Sequence, residues 1–329
     1  MKYMARSGTL RECAFGAFRP AMGNVRWLLS LMLPISLGVA LLQHWGVLAW
    51  MAGGLSPMFR MMGLPGEAAV IFVSGASAGT YAGIAAMMAI PLTMRQATIL
   101  GVMIALCHAL PMECAVNRMT GSSPGGMALL RVVMAMVAAI CLNAVLPDMA
   151  VHYIYMGAPA EIDLQEVLLT WVVSQVRVSV VMVAVIYTLM VVQRVIESRG
   201  WLGIISRWLS PLMALFGLKG SCAYMWLVGN VLGISYGAAV MREMIDRKIV
   251  TYEEANDVNY HLVMNHSLLE DTIVFALTGI SALWLVATRV LLAMAVVWGR
   301  RLMATAISLL PSAGRRHFPF VRRGHSCGR

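Results

Sequence analysis

Two stretches of this sequence place a histidine five residues ahead of an acid. They read Cys107-His108-Ala109-Leu110-Pro111-Met112-Glu113-Cys114 and Asn265-His266-Ser267-Leu268-Leu269-Glu270-Asp271-Thr272. An unperturbed imidazole titrates at about 6.5, so a histidine near a carboxylate is suited to exchanging a proton or to hydrogen-bonding a polar solute. Five residues are about 500° of helical turn, so each histidine shares one side of a helix with its acid only loosely. The spacing predicts each histidine about midway along a helix that begins at Thr93 or Thr251. Pro111 lacks a backbone donor and frees a carbonyl near His108, which marks it as a hinge. Solute or ion contacts are expected from His108, Glu113, Asn265, His266, Glu270 and Asp271. Arg131 and Arg289 are the expected partners of Glu113 and Asp271, which leaves the histidines as the stronger functional pair. Cys107, Met112 and Cys114 add soft metal ligands. The cysteines are seven residues apart, and the second stretch has Asn265 and Thr272 in their places, so no dedicated metal site is expected.

A second set of polar residues sits in two glycine-rich stretches, GASAGTYAG at 75–83 and GNVLGISYG at 229–237. Glycines four apart let a helix break at its centre. Gly75, Gly79, Gly229 and Gly233 are therefore expected at broken turns. Ser77, Thr80, Asn230 and Ser235 are expected to offer hydroxyls and an amide to a polar solute at those tips.

The elements that must hold these residues follow from composition. Of 329 residues, 60% are apolar and 12% charged, with a mean hydropathy of +0.77. Soluble domains carry about twice that charge density, so a water-soluble fold, a disordered chain and a nucleic-acid binder are excluded. The net charge of +10 is read as loop charge. The six cysteines are scattered without a CxxC, which argues against a disulfide framework or structural zinc. No GxxxxGK[ST] sequence and no compact nucleophile–base set is present, so neither enzymatic activity nor a cofactor is expected.

The chain contains an internal repeat. Residues 55–87 align without gaps on 209–241 with twelve of 33 positions identical, where chance gives roughly two or three. After a four-residue insertion Thr93 matches Thr251, His108 matches His266, Gly121 matches Gly279 and Arg131 matches Arg289. The basic N-terminus and tail predict both ends in the cytoplasm, and the acidic segment 148–165 predicts an external linker. Four apolar segments per half then require one that enters and leaves on the same side, and the glycine-rich segment is the best candidate. The fold class expected is an all-α polytopic membrane protein with two inverted-topology repeats, each with three transmembrane helices plus a re-entrant helical hairpin. The expected division is a cytoplasmic N-terminus at 1–24, repeats at 25–147 and 166–305, the linker at 148–165 and a basic cytoplasmic tail at 306–329.

The duplicated LSP, GLxG, glycine-rich hairpin and helix with His and acid resemble the Gate, or nucleoside-recognition, family. That family includes spore maturation membrane proteins, the membrane part of B-type ferrous-iron transporters and regions of concentrative nucleoside transporters. The resemblance covers about 30–125 and 185–280 and implies inverted repeats with transport or gating. The function expected is a cell inner-membrane carrier for a small polar solute, either a nucleoside or an anionic metabolite, coupled to H+ or Na+. Alternatives are a non-transporting membrane subunit that gates or assembles with another complex, and divalent metal transport. The expected partners are the solute, the lipid bilayer and either a second copy or a membrane subunit, with no nucleic acid.

The inverted topology predicts that cysteines introduced singly as Ala158→Cys and Arg247→Cys, in a cysteine-free background, label from opposite sides of the membrane. Labelling of both from one side would overturn it.

Overall fold

The computed structural model describes residues 9–118, 120–155 and 163–309. The first eight residues, the centre of the acidic linker and the basic tail beyond 309 lie outside the described residues. All named elements are helices, apart from one 3-10 turn and an isolated bridge between Thr93 and His152.

The first half contains α1 (Leu10–His44), α2 (Val47–Met61), α3 (Ala68–Ala78), α4 (Thr80–Ala89), α5 (Met94–Cys107), α6 (Leu110–Arg118) and α7 (Pro124–Val145). The second contains α8 (Leu164–Ser198), α9 (Trp201–Leu209), α10 (Leu212–Leu215), α11 (Ala223–Val231), α12 (Ile234–Asp246), α13 (Tyr252–Asn265), α14 (Leu268–Leu277) and α15 (Ala282–Leu309). The halves share their stop signals as well as their order. Positive-φ glycines recur as Gly46 and Gly200, Gly63 and Gly217, Gly79 and Gly233, and Gly121 and Gly279. Thr93 and Thr251 each close a capping box, with Gln96 and Glu254. Such a box satisfies two orphan amides and fixes where each central helix starts.

Four helical stretches among the described residues are long and apolar enough to cross a membrane: Met94–Arg118, Pro124–Val145, Leu164–Ser198 and Ala282–Ala306. The stretch 252–277, expected to match 94–118, carries Glu253, Glu254, Asp257, Glu270 and Asp271 and is less apolar for that reason. α1 starts at Leu10, well before the expected boundary at 25.

Packing runs the two halves against each other in opposite directions. Along α1 and α8, Cys13 meets Ser198, Ala14 meets Tyr187 and Ser36 meets Trp171, so these helices lie antiparallel. The central helices do the same. Gly121, after α6, sits against Tyr252 at the start of α13, and Gly279, after α14, sits against Met94 at the start of α5. Asn259 Nδ2 donates to Thr120 Oγ1 at 2.6 Å and Ser122 Oγ at 2.8 Å, latching α13 to the first half. α5 is buried along almost its whole length and forms the middle of the larger core.

The short helices α3 and α4 fold back on one another at Gly79, and α11 and α12 do so at Gly233. At φ 106° and ψ 177°, and φ 93° and ψ 167°, these two positions take a conformation open essentially to glycine alone. Gly75 and Gly229, expected at the breaks, instead lie inside α3 and α11. There they admit their neighbours: a Cβ on Gly75 would stand 2.9 Å from Ile104, and one on Gly229 2.6 Å from Leu262. The fold-back brings the glycines of each pair together, so a Cβ on Gly237 would meet the Gly229 Cα at 2.8 Å.

Because that neighbour is backbone and cannot rotate away, Gly237→Ala is expected to destabilise the protein by about 1–3 kcal/mol. Gly203→Ala, in open space within α9, is expected to be neutral or to stabilise by about 0.5–1 kcal/mol. Thermal unfolding of both variants in detergent checks this; equal midpoints would contradict the close crossing.

Candidate functional site

The site is made where α5 and α13 stop. Ala109 takes φ 45° and Ser267 takes φ 52°, a left-handed backbone that costs a non-glycine residue about 1–2 kcal/mol. His108 and His266 are therefore the extended cap residues just after broken helices and do not lie midway along continuous ones. Pro111 is not the cause. It sits in the first turn of α6, where its missing N–H is harmless, and the second half breaks at the same place with Leu269 in its position.

Stopping a helix leaves carbonyls without partners. Buried arginines meet them. Arg131 Nε donates to Leu106 O at 2.8 Å, and Arg289 Nε donates to Met264 O at 3.2 Å while its Nη2 donates to His266 O. The same guanidinium groups hold the acids that open the following helices. Arg131 Nη1 is 2.5 Å from Glu113 Oε2, and Arg289 Nη1 is 3.2 Å from Asp271 Oδ2. Glu113 and Asp271 lie in the first turns of α6 and α14, where the helix dipole favours a negative charge.

The antiparallel course of the central helices brings the two breaks together. The His108 and His266 rings are 4.9 Å apart. Each Nδ1 faces a carbonyl, Ile104 O at 3.2 Å and Leu262 O at 3.0 Å. A carbonyl only accepts, so each Nδ1 carries a hydrogen. Each Nε2 then faces Glu113: His108 at 3.1 Å from Oε1, His266 at 3.0 Å from Oε2. Two lone pairs at that separation repel, so the cluster calls for a proton shared among the two nitrogens and the carboxylate. Asp271 is held differently. Thr80 Oγ1, from the tip of the α3–α4 turn, donates to its Oδ1 at 3.1 Å, and its Oδ2 stands 4.0 Å from His108 Nε2.

The ligand atoms of His108, Glu113 and His266 lie within 4.8 Å of one another, a donor set able to hold a metal ion. Arg131 already occupies Glu113 Oε2 and would repel such an ion, so the arrangement suits protons better.

A cavity of about 320 Å³ opens beside this cluster. Its polar lining comprises Thr80, Tyr81, His108, Glu113, Glu270 and Asp271, with Ser267 at the second break. Of the other residues expected at the site, Asn265 is fully buried and does not line the cavity. Ser77 Oγ donates back to Val73 O at 2.7 Å, and Asn230 Nδ2 donates to Trp226 O at 3.1 Å; neither lines the cavity. Ser235 lies in α12, and its side chain is outside the described residues. Asn24 of α1 and Ile186 of α8 complete the wall. Nothing in their local sequence marks them, because only the packing of the two long helices brings them there.

The family described as Gate: Nucleoside recognition matches residues 25–158. The "Uncharacterized membrane protein YvoD" of Bacillus subtilis (strain 168) is 32% identical over 279 residues, which span 82% of this chain and 89% of that protein. No solved structure matches the chain.

Removing one partner of a buried ion pair typically costs about 3–5 kcal/mol. Arg131→Gln is expected to lose that much, and Arg131→Lys to recover little of it, since a point charge cannot serve both Leu106 O and Glu113. Unfolding midpoints in detergent decide; a lysine variant as stable as the wild type would contradict the bridging role.

Proposed function

Because the chain belongs to the Gate, or nucleoside-recognition, family of membrane proteins, we propose that it is a proton-coupled carrier, not an enzyme, for a small polar solute bound in the cavity beside His108 and His266. The observation that carries this reading is the pair of histidines from two broken helices converging on one carboxylate next to that cavity. Helices broken at membrane depth commonly line solute and ion pathways in secondary transporters. The two halves are read as inverted repeats, supported by the antiparallel runs of α1 against α8 and of α5 against α13. The turned-back pairs α3–α4 and α11–α12 are read as re-entrant hairpins. At about 1.5 Å per residue, the 11 residues of α3 reach roughly half of a 30 Å hydrocarbon core. The location proposed is the cell inner membrane with both ends cytoplasmic.

Charge supports protons as the coupling ion. Glu113, Glu270 and Asp271 place three carboxyl groups around the cavity, against the guanidinium groups of Arg131 and Arg289. One proton shared between the histidines and Glu113 makes the cluster neutral, the condition a low-dielectric site favours.

In proteoliposomes enclosing a pH-sensitive dye, at least one member of a panel of small polar solutes is expected to drive proton movement through the wild-type protein. His108→Gln and His266→Gln are expected to insert normally and to lose that movement at least ten-fold. Proton movement unchanged in both variants would refute the coupling role.

A further inference from the structure

Glu270 separates the two halves of the site chemically. Glu113 has Arg131, and Asp271 has Arg289 and Thr80. Among the described residues, no basic side chain forms an ion pair with Glu270, although it lines the cavity. Its counterpart in the first half is Met112, on the same cavity. The duplication thus sets a thioether at one position and a lone carboxylate at the other. A second observation points the same way. Tyr81 lines the cavity, is 9% exposed, and its buried hydroxyl has no hydrogen-bond partner. A buried hydroxyl left unpaired is costly unless a ligand or water completes it. Met112, Ile186 and Val274 give the remaining wall an apolar character.

We propose that the cavity binds a small organic cation, an ammonium or amidinium on a compact apolar body, with its charge on Glu270, a hydrogen bond to Tyr81 and its body against Met112, Ile186 and Val274. This rests on the reading of the cavity as the solute site. An anion would face three carboxylates, while both arginines are fully buried and engaged with acids and carbonyls. The volume of about 320 Å³ is at the small end for ligand pockets.

The same charge count couples the cation to the proton. The ionisable groups facing the cavity are Tyr81 from α4, His108 at the end of α5, Glu113 from α6, and Glu270 and Asp271 from α14. His266 and the guanidinium groups of Arg131 from α7 and Arg289 from α15 stand behind them. With all three carboxyls ionised, one proton on the histidines or one bound cation neutralises this set, and both together leave it positive. Cation entry therefore displaces the proton, which is the logic of exchange.

The test uses the purified full chain in detergent, with agmatine, histamine and tyramine as cationic probes, uridine and adenosine as uncharged ones, and malate and phosphate as anions. The amines are expected to raise the unfolding midpoint and to release up to one proton each in weakly buffered titrations. Glu270→Gln is expected to weaken amine binding at least ten-fold, and Glu270→Asp to restore most of it, which separates lost charge from lost folding. Preference for nucleosides or anions, no binding of any amine, or undiminished binding by Glu270→Gln would each overturn the proposal. Flux measurements separate it from the carrier reading. Amines that bind but never exchange for protons in proteoliposomes refute transport and leave the cation site standing. Transport of an uncharged or anionic solute refutes the cation site and leaves transport standing.

Discussion

A helix that stops inside a packed protein interior has no water to satisfy its last carbonyls, and the site depends on how that problem is solved. In each half a buried arginine supplies the missing donors and uses its remaining charge on the acid that begins the next helix. The planar guanidinium suits this double duty because its donors point in fixed, separate directions. The negative end of one helix, a positive side chain and a carboxylate at the positive end of the next helix then form a self-consistent chain of charge. The left-handed turns at Ala109 and Ser267 are affordable because those contacts hold both sides of each break.

The glycine pairs matter for a related reason. Turning α3 into α4 and α11 into α12 places backbone against backbone: a Cβ on Gly83 would meet Gly75 Cα at 3.2 Å and one on Gly237 would meet Gly229 Cα at 2.8 Å, while Gly75 and Gly229 also pack against Ile104 and Leu262. That closeness carries Thr80 to Asp271 in the opposite half and ties Ala109 N to Gly75 O at 3.1 Å. The turned-back pairs are therefore part of the same polar centre as the histidines.

The halves share geometry and differ in polarity. The second half has His261, Asn265 and Glu270 where the first has Met103, Cys107 and Met112. His261 is fully buried and accepts a hydrogen bond from Trp226 Nε1 at 2.9 Å, and Asn265, one turn further on, is fully buried as well. Both halves carry the breaks and their arginine supports, and loss of either arginine would orphan buried carbonyls. Around those shared supports the chemistry differs, and of the three positions only Glu270 and Met112 line the cavity.

Much of this protein is written in its sequence. Composition fixes a helical membrane protein, since so few charges cannot solvate a soluble surface. The repeat and its matched glycines locate equivalent elements, because glycine is the residue that most readily takes the left-handed backbone that ends a helix. The pairing of Glu113 with Arg131 and of Asp271 with Arg289 was also legible, since an intramembrane acid needs a counter-charge. Tertiary structure alone decided the rest. Spacing treats a helix as continuous, so it placed His108 and His266 in mid-helix and gave the hinge to Pro111; the actual breaks are left-handed turns at Ala109 and Ser267, held by side chains distant in sequence. Spacing also set Gly75 and Gly229 at the turns, because it cannot tell a glycine needed for its φ from one needed for its missing Cβ. Both histidines meeting on Glu113, with Asn24 and Ile186 closing the cavity, depends on how antiparallel helices slide against each other. That register is a property of packed surfaces, and no single segment contains it.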